Sequence, residues 1–166
     1  NRCKRMILKG FRHLKLRVGL GEGNDVLKVV RTLRSRFSEE TLRLSIDAQG
    51  NYGLDEAKEL LRELKPYDIR MVEQPIRQYQ WKDMAQLCSM AREEGTSPIA
   101  LDEELIGVNV LEEKRMLLDT IRPQFLVIKP MLHGGITGAV EWASEAMKRD
   151  VGVVVSVAHE GNIGRR

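Results

Sequence analysis

An α/β fold is predicted: a parallel (β/α) barrel of the TIM type, incomplete here, with about six βα units visible in the 166 residues. Two observations carry this. Short runs of Leu, Ile and Val alternate with longer stretches whose apolar residues recur at helical spacing, the pattern of a parallel sheet buried on both faces. A charged or polar residue also ends each apolar run: Arg17, Asp47, Glu73, Asp102, Lys129 and Ser156, roughly 26–29 residues apart from Asp47 onward. A repeat of that length is one strand, one helix and two loops, and in a βα barrel the strand ends converge on one face.

Residues 1–11 read as the tail of a helix leading into a first strand at 14–18. Gly19-Leu20-Gly21-Glu22-Gly23 is a flexible loop. It is no dinucleotide fingerprint, because the acid expected about twenty residues on is misplaced and Glu22 would repel a pyrophosphate. Asn24 or Asp25 is placed to cap a helix carrying Val26, Val29, Val30, Leu33 and Phe37 on one face. The second strand spans 42–47, and Asp55 is expected to cap a helix with Ala57, Leu60, Leu61 and Leu64, stopped by Pro66. A strand at 70–73 leads to a helix from Trp81 to Glu93, with Met84, Leu87, Cys88 and Ala91 inward and Gly95 as its stop. Further strands fall at 98–102, 125–129 and 152–157, with helices at about 110–121, before Pro123, and about 138–148.

With 42% hydrophobic and 31% charged residues the chain is globular in composition. Its net charge of +3 comes from Lys and Arg scattered along amphipathic helices, with only three Phe, three Tyr and two Trp for stacking. This argues for a solvated basic surface and against nucleic acid. Cys3 and Cys88 make no disulfide framework and no metal spacing, which suits a reducing, cytoplasmic setting. No run is long enough to cross a membrane and no signal peptide is visible. No linker or second domain is seen. An open six-stranded sheet would expose two edges, so a second copy or a complementing barrel segment is the expected macromolecular partner.

Asp47, Glu73 and Asp102 at one barrel mouth would repel one another unless something positive lay between them, and a divalent cation does this most economically. Acids after strands also cap helices and open turns; three in phase are harder to explain that way. Lys129 shares the strand-end position and would hold a negative charge electrostatically or act with a lowered pKa; otherwise it simply reaches solvent. Lys15 and Arg17 alternate with Leu14, Leu16 and Val18, so both cations lie on one face of a strand built for burial, facing acids or substrate, or else lining a solvated edge. Gly134 and Gly135 after His133 offer backbone N–H groups to an anionic substrate, or merely make a turn. Ser156 and Glu160 after the last strand complete the candidate substrate-binding set.

Several of these stretches resemble the enolase superfamily, specifically its muconate-lactonising subgroup, over residues 10–164. They are Leu14-Lys15-Leu16-Arg17-Val18-Gly19, Asp47-Ala48, Val72-Glu73-Gln74-Pro75-Ile76, Ile99-Ala100-Leu101-Asp102-Glu103-Glu104, Ile128-Lys129-Pro130 and Glu160-Gly161-Asn162-Ile163-Gly164. The run Lys129-Pro130-Met131-Leu132-His133-Gly134-Gly135 looks most like the o-succinylbenzoate synthase branch, which belongs to menaquinone biosynthesis. Residues 1–166 would then be the central segment of the superfamily's C-terminal barrel domain, without the N-terminal capping domain.

The resemblance implies that Asp47, Glu73 and Asp102 hold one Mg²⁺, with Mn²⁺ as a substitute. It implies a lyase that dehydrates a small carboxylate substrate by removing the proton next to the carboxylate, the enediolate being stabilised by the metal. The general base would stand at Arg17, Lys15 would keep the pKa of that base low, and Lys129 would face the anion from the opposite side. Three positions depart from the pattern. Arg17 replaces the expected lysine, and a guanidinium is a poor base. Gln49 stands where asparagine is usual, and Ser45 where arginine is usual. A dipeptide epimerase or N-acylamino-acid racemase is the alternative within the superfamily. The non-catalytic alternative is an inactive barrel fragment serving as a metal-binding or partner protein.

Overall fold

The computed structural model describes residues 2–18 and 25–158. Helix α1 (Arg2–Leu8) leads into strand β1 (His13–Arg17), followed by α2 (Val26–Arg34), β2 (Arg43–Asp47), α3 (Leu54–Leu64) and β3 (Ile69–Glu73). Then come α4 (Trp81–Glu93), β4 (Ile99–Leu101), α5 (Leu111–Ile121), β5 (Phe125–Ile128), α6 (Gly135–Met147) and β6 (Gly152–Val155). The six strands form one sheet in chain order, every pair parallel, curled into half a barrel. The loop 19–23 and Glu160 lie outside the described residues.

Burial separates the two faces of the sheet. Leu44, Ile46, Val72, Ile99, Leu101, Leu126 and Ile128 pack outward against Leu60, Leu61, Leu87, Leu117 and Trp142 of the helices in one large core. The concave face holds a small second layer of Met71, Ala100 and Val127, with Phe125 and Val154 against it. Period two then sets Lys15, Arg17, Asp47, Glu73, Asp102 and Lys129 on that same inner face, towards the C-terminal ends of the strands.

The helix ends refine the sequence expectations. Asp25 is the cap of α2, accepting the Lys28 N–H at 3.0 Å. Val29, expected on the buried face of α2, is largely exposed. For α3 the expected cap Asp55 lies within the first turn, and Gly53 is the capping position, its N–H given to Glu56 Oε2 at 2.8 Å. Glu56 is one position better placed to reach back over the first turn. The largest correction is α6, expected from about 138 but beginning at Gly135, with Gly134 in the left-handed region at φ 84°. The Gly134-Gly135 pair reads as a turn, and Gly138, expected to open the helix, is required inside it. A Cβ there would lie 2.0 Å from the His133 carbonyl oxygen.

Gly138→Ala should therefore destabilise the fold by about 2 kcal/mol or more, because relief needs backbone movement and exceeds the helix propensity that alanine adds. Urea unfolding measures it; a midpoint unchanged from the parent would mean that α6 and the His133 turn separate freely.

Helices α5 and α6 are clamped by charge. Glu145, almost fully buried, accepts from Lys148 at 2.6 Å, Arg149 at 2.8 Å and Arg115 at 3.2 Å, and Arg149 also holds Asp119 at 2.7 Å. Hydrogen bonds from Lys148, Arg115 and Arg149 pull the Glu145 carboxyl down from 4.5 to about 2. A depressed folded-state pKa stabilises above the unfolded value and is lost as pH falls through the folded one. Stability should accordingly fall between about pH 4.5 and 2. In Glu145→Gln this part of the acid limb should flatten, as followed by circular dichroism.

Candidate active site

Parallel register puts Arg17 beside Asp47, and Asp47 beside Glu73, in one row across β1, β2 and β3. Asp102 and Lys129 follow one residue beyond β4 and β5. All three carboxylates are buried: Glu73 is fully enclosed, and Asp102 and Asp47 are 1% and 2% exposed. Uncompensated charge at such depth is costly, and two lysines offset it. Lys15 Nζ donates to Glu73 Oε1 at 2.9 Å and Oε2 at 3.0 Å and lies 3.5 Å from Asp47 Oδ2. Lys129 Nζ donates to Asp102 Oδ2.

The electrostatics follow. Burial pushes the Glu73 carboxyl up to about 7, helped by its hydrogen bond with Asp102 and by Asp47, while Lys15 opposes. Burial alone would lower the Lys15 ammonium, but Glu73, Asp47 and Asp102 together outweigh it, so the net direction is up. An ammonium held in its charged form in this way disfavours a second positive charge beside it.

Arg17 is held loosely. Its side chain is 68% exposed, and Nε and Nη2 each lie 3.4 Å from Asp47 Oδ2. It stands at the mouth across from Lys129, on the opposite side of the carboxylate row. Ser45, buried beside Lys15 in register, has its hydroxyl 2.8 Å from His13 Nε2.

The donor set suits a hard divalent cation. It is all carboxylate oxygen, and Asp47 Oδ1 and Asp102 Oδ1 are buried without a partner, two orphaned acceptors. The Lys15 ammonium lies between Glu73 and Asp47 and offsets part of their charge. As they stand, no three Asp, Glu, His or Cys side chains among the described residues are gathered tightly enough to hold a metal ion. Each carboxylate is drawn instead towards a lysine nitrogen.

The remaining candidates divide. Ser156 follows β6 directly, its N–H bonded to Ile128 O at 2.8 Å, and it is half-buried at the mouth. Gly134 and Gly135 stand exposed at the start of α6. The Gly135 N–H is given to Pro130 O at 2.8 Å, so this donor is used within its own turn. His133, buried, accepts the Lys129 N–H on Nδ1 at 3.0 Å, which leaves the ring proton on Nε2. Burial pushes this imidazole down to about 4 against the pull of Asp102, with Lys129 and Lys114 lowering it further.

Three side chains that sequence reasoning left without a role belong to the same region. Gln74 and Glu104 are buried and joined to each other, Gln74 Nε2 lying 3.3 Å from Glu104 Oε2. Glu103 has a buried Oε2 without a partner, and burial, followed by Asp102, raises its carboxyl. The available signal was adjacency, since Gln74 follows Glu73 and Glu103-Glu104 follows Asp102.

The enolase C-terminal domain-like family matches residues 1–166. The o-succinylbenzoate synthase of Desulfotalea psychrophila is 37% identical over 160 residues, 95% of this chain and 42% of that protein. An N-succinylamino acid racemase of Thermus thermophilus is 32% identical over 132 residues, 80% of this chain and 32% of that protein. The crystal structure of MenC from Desulfotalea psychrophila LSv54 superposes with a TM-score of 0.88 at 34% identity, covering 98% of this chain and 44% of that one. The chain thus spans less than half the length of these relatives. Among the described residues no helix is long and apolar enough to cross a membrane.

Proposed function

The chain belongs to the enolase C-terminal domain-like family, and from that premise we propose a divalent-cation-dependent lyase of the o-succinylbenzoate synthase kind. Residues 1–166 form the central part of its barrel domain, and the reaction removes a proton next to a carboxylate and expels water from the neighbouring carbon. The observation that carries this reading is the layer of buried carboxylates, with Lys15 and Arg17 on β1 at one side and Lys129 beyond β5 at the other. A planar anion entering between these sides meets positive charge on both faces.

Asp47, Glu73 and Asp102 are the groups that would hold Mg²⁺ or Mn²⁺. When bound, the cation supplies positive charge that acidifies the proton next to the substrate carboxylate. Lys129 holds the negative charge that develops on the opposite face. Arg17 occupies the base position and, as a guanidinium, binds and orients an anion more readily than it takes a proton. Lys15 offsets part of the charge of the carboxylate row, at Glu73 and Asp47. Ser156 contributes a hydroxyl for a substrate carboxylate, Gly134 and Gly135 stand at the same mouth, and Glu160 is assigned to substrate binding from its place in the sequence alone.

The test is to incubate the purified protein with Mg²⁺ and the hydroxylated precursor of o-succinylbenzoate and to follow the aromatic product by absorbance. Product that forms in the presence of cation, and is lost in Lys129→Ala, is the expected result. Product formation unaffected by chelator would overturn the reading. The second reading, racemisation of an N-acylamino acid, is favoured by the similarity to the Thermus racemase. Epimerisation needs a base on each face, so Arg17 opposite Lys129 weighs against it.

A further inference from the structure

We infer that Gln74 is a positioning residue for the candidate cation site, because its buried amide ties the backbone of Asp102 to the loop that follows Glu73. The inference rests on the metal reading of the three carboxylates.

Gln74 follows Glu73 directly and lies in the left-handed region at φ 41°, a conformation that a residue with a side chain adopts only when its surroundings impose it. Its main chain gives an N–H to Ala100 O at 2.9 Å and accepts the Gly50 N–H at 2.7 Å. Its side chain, 1% exposed, is saturated. Oε1 accepts the N–H groups of Asp102 at 3.1 Å and Glu104 at 3.2 Å. Nε2 donates to Ile76 O at 3.0 Å and Glu104 Oε2 at 3.3 Å. One residue therefore joins the loops that follow all three carboxylates: Gly50 after Asp47, Gln74 itself after Glu73, and Asp102 with Glu104 after β4.

The bond to Asp102 carries the argument. Asp102 lies just beyond β4, with φ −127° and ψ −81°, outside the strand ladder. Its N–H finds its acceptor in the Gln74 amide. Glu104 in turn fixes that amide, since its Oε1 is anchored by the Tyr79 N–H and the Trp81 Nε1–H, each at 2.8 Å. Methionine would fill the volume of Gln74 but leave two buried N–H groups without an acceptor. Glutamate would set a carboxylate oxygen against the Ile76 carbonyl and the Glu104 carboxylate.

Hydrogen exchange by NMR and Mn²⁺ calorimetry test this together. In the cation-free protein the Asp102 and Glu104 amides should be protected well beyond ordinary loop amides. Gln74→Met should release those two amides, leave the β5 amides protected, and weaken Mn²⁺ binding about 10–100-fold, the usual cost of removing a partner that orients metal ligands. Asp102 and Glu104 amides that exchange freely in the unaltered protein overturn the positioning role with no variant needed. Mn²⁺ binding that Gln74→Met leaves intact overturns the positioning role alone. Protected amides with no Mn²⁺ binding by the unaltered protein overturn the metal reading, and the positioning role with it.

Discussion

Arg17→Lys should raise the rate of α-proton exchange from a carboxylate substrate in D₂O by about 10²–10⁴-fold. That corresponds to roughly 3–5 kcal/mol of barrier. Arg17 stands in the row with Asp47 and Glu73, at the inner mouth and across from Lys129, the place that the proposed reaction gives to the base. Its guanidinium stays protonated and cannot take the proton, whereas a lysine amine can. The local structure tolerates the exchange, since the Arg17 side chain is mostly exposed and makes only 3.4 Å contacts with Asp47. Two opposing influences act on the amine: Asp47 beside it favours the ammonium, and Lys15 on the same strand face opposes it. Cation binding at Asp47 tips the balance, so the gain should appear with Mg²⁺ and shrink without it. Exchange by the parent as fast as by the variant would mean that the base is elsewhere. No exchange in either protein would favour the reading of a metal-binding barrel segment without catalysis.

How much of this was legible in the sequence differs between the two faces of the sheet. The outer face was readable, because strands buried on both sides show as short Val, Ile and Leu runs, and all six were found close to their true places. The inner row was readable too, since period two and a repeat of 26–29 residues put one polar group at each strand end. What stayed hidden are contacts that skip a strand or leave the ladder. Lys15 on β1 reaches past β2 to Glu73 on β3, a partnership set by strand curvature and side-chain length. The Gln74 amide binds backbone groups some 28 and 30 residues away, and neither propensity nor periodicity reports on such bonds. The start of α6 was missed for a related reason. Gly134 and Gly135 read as a turn in sequence, and nothing in their residue type reports that the helix already begins at Gly135, where the His133 turn closes against Gly138.

Glu73→Gln should have two opposite effects, on stability and on cation binding. With its carboxyl pushed from 4.5 up to about 7, Glu73 binds a proton more tightly in the folded chain than in the unfolded one. The sign follows from linkage: a raised carboxyl pKa lets the folded state bind more protons between the two values, so stability falls as pH rises through that window. Above about pH 7 the full cost is present. At about 1.4 kcal/mol for each unit of pKa, the rise from 4.5 to about 7 corresponds to roughly 3–4 kcal/mol, the opposing pull of Lys15 already included. A neutral amide removes the buried charge and keeps an acceptor for Lys15, whose half-exposed ammonium reaches water for the rest. The cation-free variant should therefore melt above the parent at pH 8, and the difference should close or reverse near pH 5. The same amide removes a charged oxygen ligand from between Asp47 and Asp102, so calorimetric binding of Mg²⁺ or Mn²⁺ should fall strongly. Opposite signs from one substitution are what separate a site kept for a cation from a charge kept for the fold. A variant that melts lower at pH 8 and binds the cation as tightly as the parent would show Glu73 to be part of the fold's own ion pairing, with Lys15 as its intended partner.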